Sequence, residues 1–338
     1  MFDKWEIDVQ LDITAGCQRS CSDCVVSFNS PMFISKSNDF NRLMLQCSEE
    51  FFLGNLILGP TDVFASNQSV NYIDPTVLEI AKHFKTVTFS TSLLGKKTDI
   101  IRHAETIGKF FDQQIKLSIP VDLREVDNKK YRDHILEKIN LFEEHLGRPL
   151  GTKSRKVYFI GNLPTAEDNI DPNIFNKFIE DWGVQLDIAI NNGRKGIKEL
   201  ASVFSNAVNF FTSRIDKVNN FPGALMEEGR GIDLLFRNGE LYYMPFYNER
   251  IGVLDNKFKL FKNQAWTLDN LIKDINSLMV ESMEASLAHP ECSTCDFNSR
   301  CSLFLIPILL NSLDIKSCVQ PKEIMKKHGS YHQTNRIM

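Results

Sequence analysis

WEIDVQLDITAGCQRSCSDC, residues Trp5 to Cys24, decides how this chain is read. Its first half alternates apolar and polar residues and reads as a β-strand over Trp5–Ile13. Thr14 and Gly16 mark the turn that follows, and Cys17, Cys21 and Cys24 then form C-x3-C-x2-C. Three thiolates on one tight loop can hold three irons of a [4Fe–4S] cluster and leave the fourth iron open to a substrate or cofactor. The other readings are a zinc site or plain buried cysteines. Zinc normally takes four ligands, and no fourth Cys or His lies nearby in sequence.

Outward from that strand, strand and helix patterns alternate over the first 200 residues or so. Further strands are expected at Asn55–Leu58, Lys85–Thr91, Ile115–Val121, Lys156–Ile160 and Val184–Ile190. Amphipathic segments lie between them at Asp39–Phe52, Asp74–His83, Thr98–Phe110, Lys129–Leu146 and Pro172–Trp182. Six βα repeats predict a parallel α/β sheet, open or barrel-like. Functional groups then belong at the C-terminal ends of its strands.

The composition supports a folded chain. Its 338 residues suffice for one large domain or two unequal ones, with 43% apolar and 24% charged residues. A net charge of −4 argues against a generally basic nucleic-acid surface. No apolar stretch reaches the roughly 18 residues of a membrane span; the longest near the C-terminus is Leu303–Leu310. Met1–Gln10 carries Asp3, Lys4, Glu6 and Asp8 and is no secretory signal, so a cytoplasmic protein with reduced or metal-bound cysteines is expected.

After about residue 205 the pattern changes. Gly231–Arg237 and Glu240–Met244 flank Asn238-Gly239, a strong two-residue hairpin signal because both residues tolerate positive φ. Thr267–Leu287 reads as one helix with Thr267 as its N-cap. Cys292, Cys295, Cys301 and Cys318 follow, and between Cys47 and Cys292 there is no cysteine. Two segregated groups imply two metal sites. Four thiolates suit either tetrahedral zinc or a complete [4Fe–4S] cluster, and spacing alone does not decide.

The first cysteine motif, its place after the first strand and the six βα units resemble the radical S-adenosylmethionine (radical SAM) superfamily. The resemblance implies a partial (β/α)6 TIM-like barrel over residues 1–205, with a bridging segment and a small cysteine-rich domain over 206–338. It implies a [4Fe–4S] cluster on Cys17, Cys21 and Cys24 whose open iron chelates S-adenosylmethionine. Reductive cleavage then gives a 5′-deoxyadenosyl radical that abstracts hydrogen from substrate. Gly59, Pro60, Thr61 and Asp62 stand where the family has a glycine-rich SAM motif after the second strand. Thr91 and Ser118 match SAM-contacting positions after the third and fourth strands, and Arg194 lies in a Gly-Arg turn after the sixth.

The second cysteine group and the hairpin resemble a SPASM domain, a C-terminal module that usually binds two auxiliary clusters. Met244 and Leu305 stand where that pattern has cysteines of the first of those clusters. The resemblance therefore implies one auxiliary [4Fe–4S] cluster, on Cys292, Cys295, Cys301 and Cys318, in a shortened, Twitch-like module.

The resemblance further implies an enzyme that modifies a ribosomally made peptide by crosslinking, oxidation or epimerisation. A reductant such as flavodoxin or ferredoxin would serve it. With 16 residues before Cys17, recognition of a leader peptide is expected to fall either to a separate protein or to the core and the C-terminal module. The alternative is a small-molecule dehydrogenase or cofactor-maturation enzyme of the same superfamily, and a further one a non-catalytic metal-binding regulator. Cys47 lies in an amphipathic segment and reads as a small buried hydrophobe. An epimerase would need a thiol hydrogen donor, and Cys47 is the one spare cysteine. His83, His134 and His145 read as surface or hydrogen-bonded helix residues.

Overall fold

The computed structural model describes residues 6–14, 37–60, 62–65, 71–121, 128–150, 157–162, 185–189, 231–243, 258–288 and 290–294. Six parallel strands follow one another across a sheet: β1 (Glu6–Thr14), β2 (Phe52–Pro60), β3 (Thr86–Ser90), β4 (Gln114–Val121), β5 (Val157–Asn162) and β6 (Gln185–Ala189). Each strand pairs with the next in sequence order, as in a (β/α) barrel. The free edge of β1 is taken by β7 (Gly231–Arg237), which runs parallel to it, and β8 (Glu240–Tyr243) returns antiparallel to β7. With β7 on that edge, β6 does not pair with β1 among the described residues, and their sheet is open rather than a closed barrel.

The helices between the strands are α1 (Ser37–Glu50), α2 (Pro75–Ala81), α3 (Lys97–Phe110) and α4 (Lys129–Leu146). Residues Phe40, Leu43, Met44 and Cys47 of α1 recur at i, i+3, i+4 and i+7 and are all buried. Each fully buried large apolar side chain of this kind contributes roughly 1.5–3 kcal/mol. Asn128 caps α4 by accepting from the amides of Lys130 and Tyr131, and Asp74 caps α2 ahead of Pro75. The helix expected at Pro172–Trp182 lies outside the described residues.

Alternation along the strands separates two faces. Ile7, Val9, Leu11, Leu56, Leu58, Val87, Phe89, Ile115, Leu117, Leu234 and Phe236 belong to the core shared with the helices. The opposite, inner face carries Asp8, Gln10 and Asp12 of β1, Asn55, Ile57 and Gly59 of β2 and Thr86, Thr88 and Ser90 of β3. It continues with Gln114, Lys116 and Ser118 of β4 and with Asp233, Leu235 and Arg237 of β7. Closed parallel barrels fill this space with branched apolar side chains. Here most positions are polar, and Asp8, Gln10, Asn55, Ser90, Gln114, Lys116 and Asp233 are only half-buried.

The hairpin turn is as expected: Asn238 and Gly239 have φ of 50° and 76°. Beyond it α5 (Leu268–Ala288) packs Leu271, Ile275 and Leu278 into the core. Thr267 accepts from the amide of Asn270 at 3.3 Å, as an N-cap should, and Gln46 of α1 accepts from the amide of Leu268 at 3.2 Å. One helical turn, α6 (Pro290–Ser293), follows. No helix among the described residues is long and apolar enough to cross a membrane.

Candidate functional site

The candidate site lies where the C-terminal ends of β1 to β4 and β7 come together. Across the sheet the last inner-face row runs Arg237, Asp12, Gly59, Ser90 and Ser118. The backbone continues this row beyond the strands. The amide of Val63 donates to the carbonyl of Ser90 at 2.9 Å, and the amide of Thr91 donates to that of Ser118 at 2.9 Å. The loops after β2 and β3 are thereby stitched, each to the next strand end.

Asp62 holds this stitching together. It is buried, and Oδ1 accepts from the amide of Phe64 at 2.9 Å. Oδ2 accepts from the amide of Ser92 at 3.0 Å and from the Ser92 hydroxyl. Hydrogen bonds from backbone N–H groups to a carboxylate are among the stronger ones in proteins. Thr91 is buried too, and its Oγ1 accepts from the amide of Leu93 at 3.1 Å. Ser118 is buried at the end of β4, and Gly59 is buried in β2 beside Asp12. Pro60 pairs with Thr14 at the end of the β1–β2 ladder.

At the other side of the row Asp12 and Arg237 are both buried. Gln10 Nε2 donates to Asp12 Oδ1 at 2.7 Å, and Arg237 Nε stands 3.9 Å from Oδ2. Burying two charges is costly, and each is tolerated because the other is near. The pair ties β7 to β1 two residues before β1 ends at Thr14.

Two buried polar side chains behind this row have no counterpart among the expected site residues. His103 and Lys138 each occupy a position in a helix's apolar stripe, between Ile100 and Ile107 in α3 and between Ile135 and Phe142 in α4. That interruption of an apolar period is the signal in the sequence that could have found them. His103 Nδ1 is hydrogen-bonded to the Tyr72 hydroxyl at 2.6 Å, and its ring stacks on Phe64 at 4.7 Å. Burial first, and Arg102 second, push its pKa down to about 4, against the opposing carboxylates of Asp99 and Asp62. Lys138 Nζ donates to the carbonyls of Leu93 at 2.5 Å and Gly95 at 3.0 Å. Its pKa is lowered by burial, with Glu137 and Asp62 opposing.

Thr61, Arg194, Cys17, Cys21, Cys24, Cys295, Cys301 and Cys318 lie outside the described residues. Cys292 lies in the single turn of α6. Cys47 is fully buried in the core, and burial pushes its thiol up to about 12. His83 is bonded to Asn41 at 2.9 Å, His145 stands 3.4 Å from a Glu105 oxygen, and His134 is exposed.

Among solved structures, anSMEcpe with bound AdoMet aligns over 97% of this chain and 96% of its own, with a TM-score of 0.54 and 12% identity. The same protein with AdoMet and the Cp18Cys peptide aligns over 96% and 97%, with a TM-score of 0.52 and 11% identity. The likeness is one of fold: the chain shares the parallel, barrel-like α/β architecture of anSMEcpe. Streptococcus suis SuiB bound to S-adenosylmethionine aligns over 70% of this chain at a TM-score of 0.40 and 12% identity, and the chain spans about 60% of that protein's length. No protein-family model matches the sequence, and no curated protein matches it significantly.

Proposed function

We propose that the chain is a radical SAM enzyme that abstracts a hydrogen atom from a polar substrate, most plainly a peptide. One observation carries this reading. The β1 strand that opens a sequential six-stranded parallel sheet leads directly into Cys17, Cys21 and Cys24. The donor set fits a [4Fe–4S] cluster, since three thiolates with no neighbouring fourth ligand leave one iron for SAM. In the sequence Cys17 follows Thr14, the last residue of that strand, by three positions.

When bound, cluster and SAM together would supply the one-electron chemistry. The protein's own part is to bind and orient. Thr91, Ser118 and the Gly59–Pro60 edge would meet SAM, with Thr61 and Arg194 as further contacts. Asp62 would act from behind, its oxygens being committed to Phe64 and Ser92. The half-buried inner face, with Gln10, Asn55 and Gln114, offers amide groups to a hydrogen-bonding substrate such as a peptide backbone. One of the similar structures holds a peptide, in keeping with that class. Cys292, Cys295, Cys301 and Cys318 would hold an auxiliary [4Fe–4S] cluster serving electron transfer from the substrate radical, which favours net oxidation. A flavodoxin- or ferredoxin-like reductant and a separate leader-binding protein complete the expected partners.

The test is anaerobic reconstitution followed by reduction with dithionite in the presence of SAM. Wild type is expected to release 5′-deoxyadenosine and methionine, and Cys17→Ala, Cys21→Ala and Cys24→Ala none. Wild type that binds iron yet leaves SAM intact would sink the reading.

A further inference from the structure

The loop that leaves β3, residues 91–95, carries Leu93 with φ of +51°. The left-handed region costs an ordinary residue about 1–2 kcal/mol, and Leu93 is buried in it. The loop is held from both sides. Asp62, at the end of β2, accepts from the amide and hydroxyl of Ser92. Lys138, from α4, donates to the carbonyls on both sides of Leu94. Between these two grips Thr91 bonds the amide of Leu93.

Lys138 stands where an apolar residue would complete the stripe of Ile135, Ile139 and Phe142. Burying an ammonium there costs several kcal/mol before its partners are counted. Two carbonyls, with the Asp62 carboxylate beyond the loop, offset that cost. A leucine or methionine would pack the stripe without it. The charge is therefore explained by the loop, whose shape the ammonium fixes.

We propose that Lys138 and Asp62 are positioning residues that clamp loop 91–95 between them, and that the clamp sets the affinity for SAM. The proposal rests on the reading of the strand ends as the SAM site. Thr91, at the head of the clamped loop and bonded through its amide to Ser118, is the group whose place the clamp determines.

The experiment uses the reconstituted full-length chain, with amide hydrogen exchange over residues 91–96 and SAM titration by calorimetry. Lys138→Met is expected to exchange the loop amides about tenfold faster and to weaken SAM about tenfold, as loss of a charged hydrogen bond implies. Lys138→Arg, which keeps the charge and donors, should restore most of both. Leu146→Val lies in the same buried stripe about two turns beyond Lys138 and is the control for a general loss of stability. It should lower the melting temperature and leave both loop exchange and SAM affinity unchanged. Asp62→Asn combined with Lys138→Met should be no worse for SAM than the worse single variant, as expected of one unit.

Unchanged loop exchange in Lys138→Met would overturn the clamp. So would a Leu146→Val variant that weakens SAM as much as Lys138→Met does. Wild type that binds no SAM while loop exchange still accelerates would overturn the SAM-site reading and the claim on affinity, with the clamp standing.

Discussion

Asp8 Oδ1 accepts the backbone N–H of Asn55 at 2.6 Å, where β1 and β2 first fall out of step. Ile7 pairs with Leu53 and Val9 with Leu56, so β2 spends one extra residue opposite Asp8. A bulge of this kind frees a backbone donor from the ladder, and the carboxylate takes it up. Gly54 is the residue that makes room. A Cβ there would stand 2.2 Å from Glu6 Oε1 and 2.5 Å from Asp8 Oδ1. Glu6 is exposed and can move, but Asp8 cannot without giving up Asn55. Gly54→Ala is expected to cost about 1–3 kcal/mol, read as a lower urea midpoint.

The same carboxyl group has a pH signature. Burial raises the Asp8 pKa from 3.8 to about 6, with the Asn55 bond lowering it, Glu6 raising it and Lys116 lowering it. A folded-state value above the unfolded one means that the folded chain holds the extra proton between these limits. Stability attributable to Asp8 is therefore present below pH 3.8 and is lost as pH rises through about 6. Asp8→Asn keeps the acceptor for Asn55 and removes the charge. It should gain roughly 1–2 kcal/mol at pH 7 and nothing at pH 4, allowing for solvent screening of a half-buried group. Equal gains at both pH values would refute the assignment.

His103 works in the opposite direction. Its pKa is lowered to about 4, so the folded chain binds fewer protons than the unfolded one below pH 6.5. Its contribution is complete above that pH and is lost as pH falls toward 4. The two slopes partly cancel in wild type, and Asp8→Asn should uncover the histidine's. Tyr72→Phe takes the hydroxyl from Nδ1 and leaves a buried ring nitrogen without it, for a cost of about 1–3 kcal/mol. Side-chain NMR should find His103 neutral at pH 5; a protonated ring there would contradict this account.

Cys47 bears on the reaction class. Its thiol is sealed among Phe40, Leu43 and Met44 on the core side of α1, and burial holds it protonated far above neutral pH. It therefore has no route to a substrate on the inner face of the sheet. Cys47→Ala should keep SAM-dependent turnover, and mapping by iodoacetamide and mass spectrometry should find Cys47 unmodified until denaturant is added. A turnover that vanishes in Cys47→Ala, with SAM cleavage intact, would instead make the thiol a hydrogen donor and return epimerisation to the front.

Much of the fold was legible because its signals are local and periodic. The expected helix at Lys129–Leu146 coincides with α4, capped by Asn128, and Asn238-Gly239 makes the hairpin it announces. Strand β2 runs Phe52–Pro60 where only Asn55–Leu58 was expected, since the bulge at Gly54 breaks the alternation. The parallel pairing of β7 with β1 was not legible either. It joins residues more than 220 positions apart, and no periodicity within either strand encodes a partner. Of the site, Gly59, Asp62, Thr91 and Ser118 do come together at the strand ends, whereas Lys138 and His103 were passed over. Lysine and histidine are common on solvated helix faces, and only their positions within the apolar stripes of α4 and α3 say otherwise.

Metal content decides what the second cysteine group is. Cys292 lies in one turn after α5, whose first half is fixed into the core by Leu271, Ile275 and Leu278. A site built there would be held at the end of a rigid rod roughly 30 Å long. Loss of that site should therefore leave the barrel folded. Anaerobically reconstituted wild type is expected to hold about eight irons per chain, and Cys292→Ala about four. Circular dichroism and SAM cleavage by the first cluster should persist in the variant, while substrate oxidation fails for want of an electron acceptor. About four irons and one zinc in wild type would make the site structural. Substrate oxidation would then have to pass its electron elsewhere, and the auxiliary-cluster mechanism would fall.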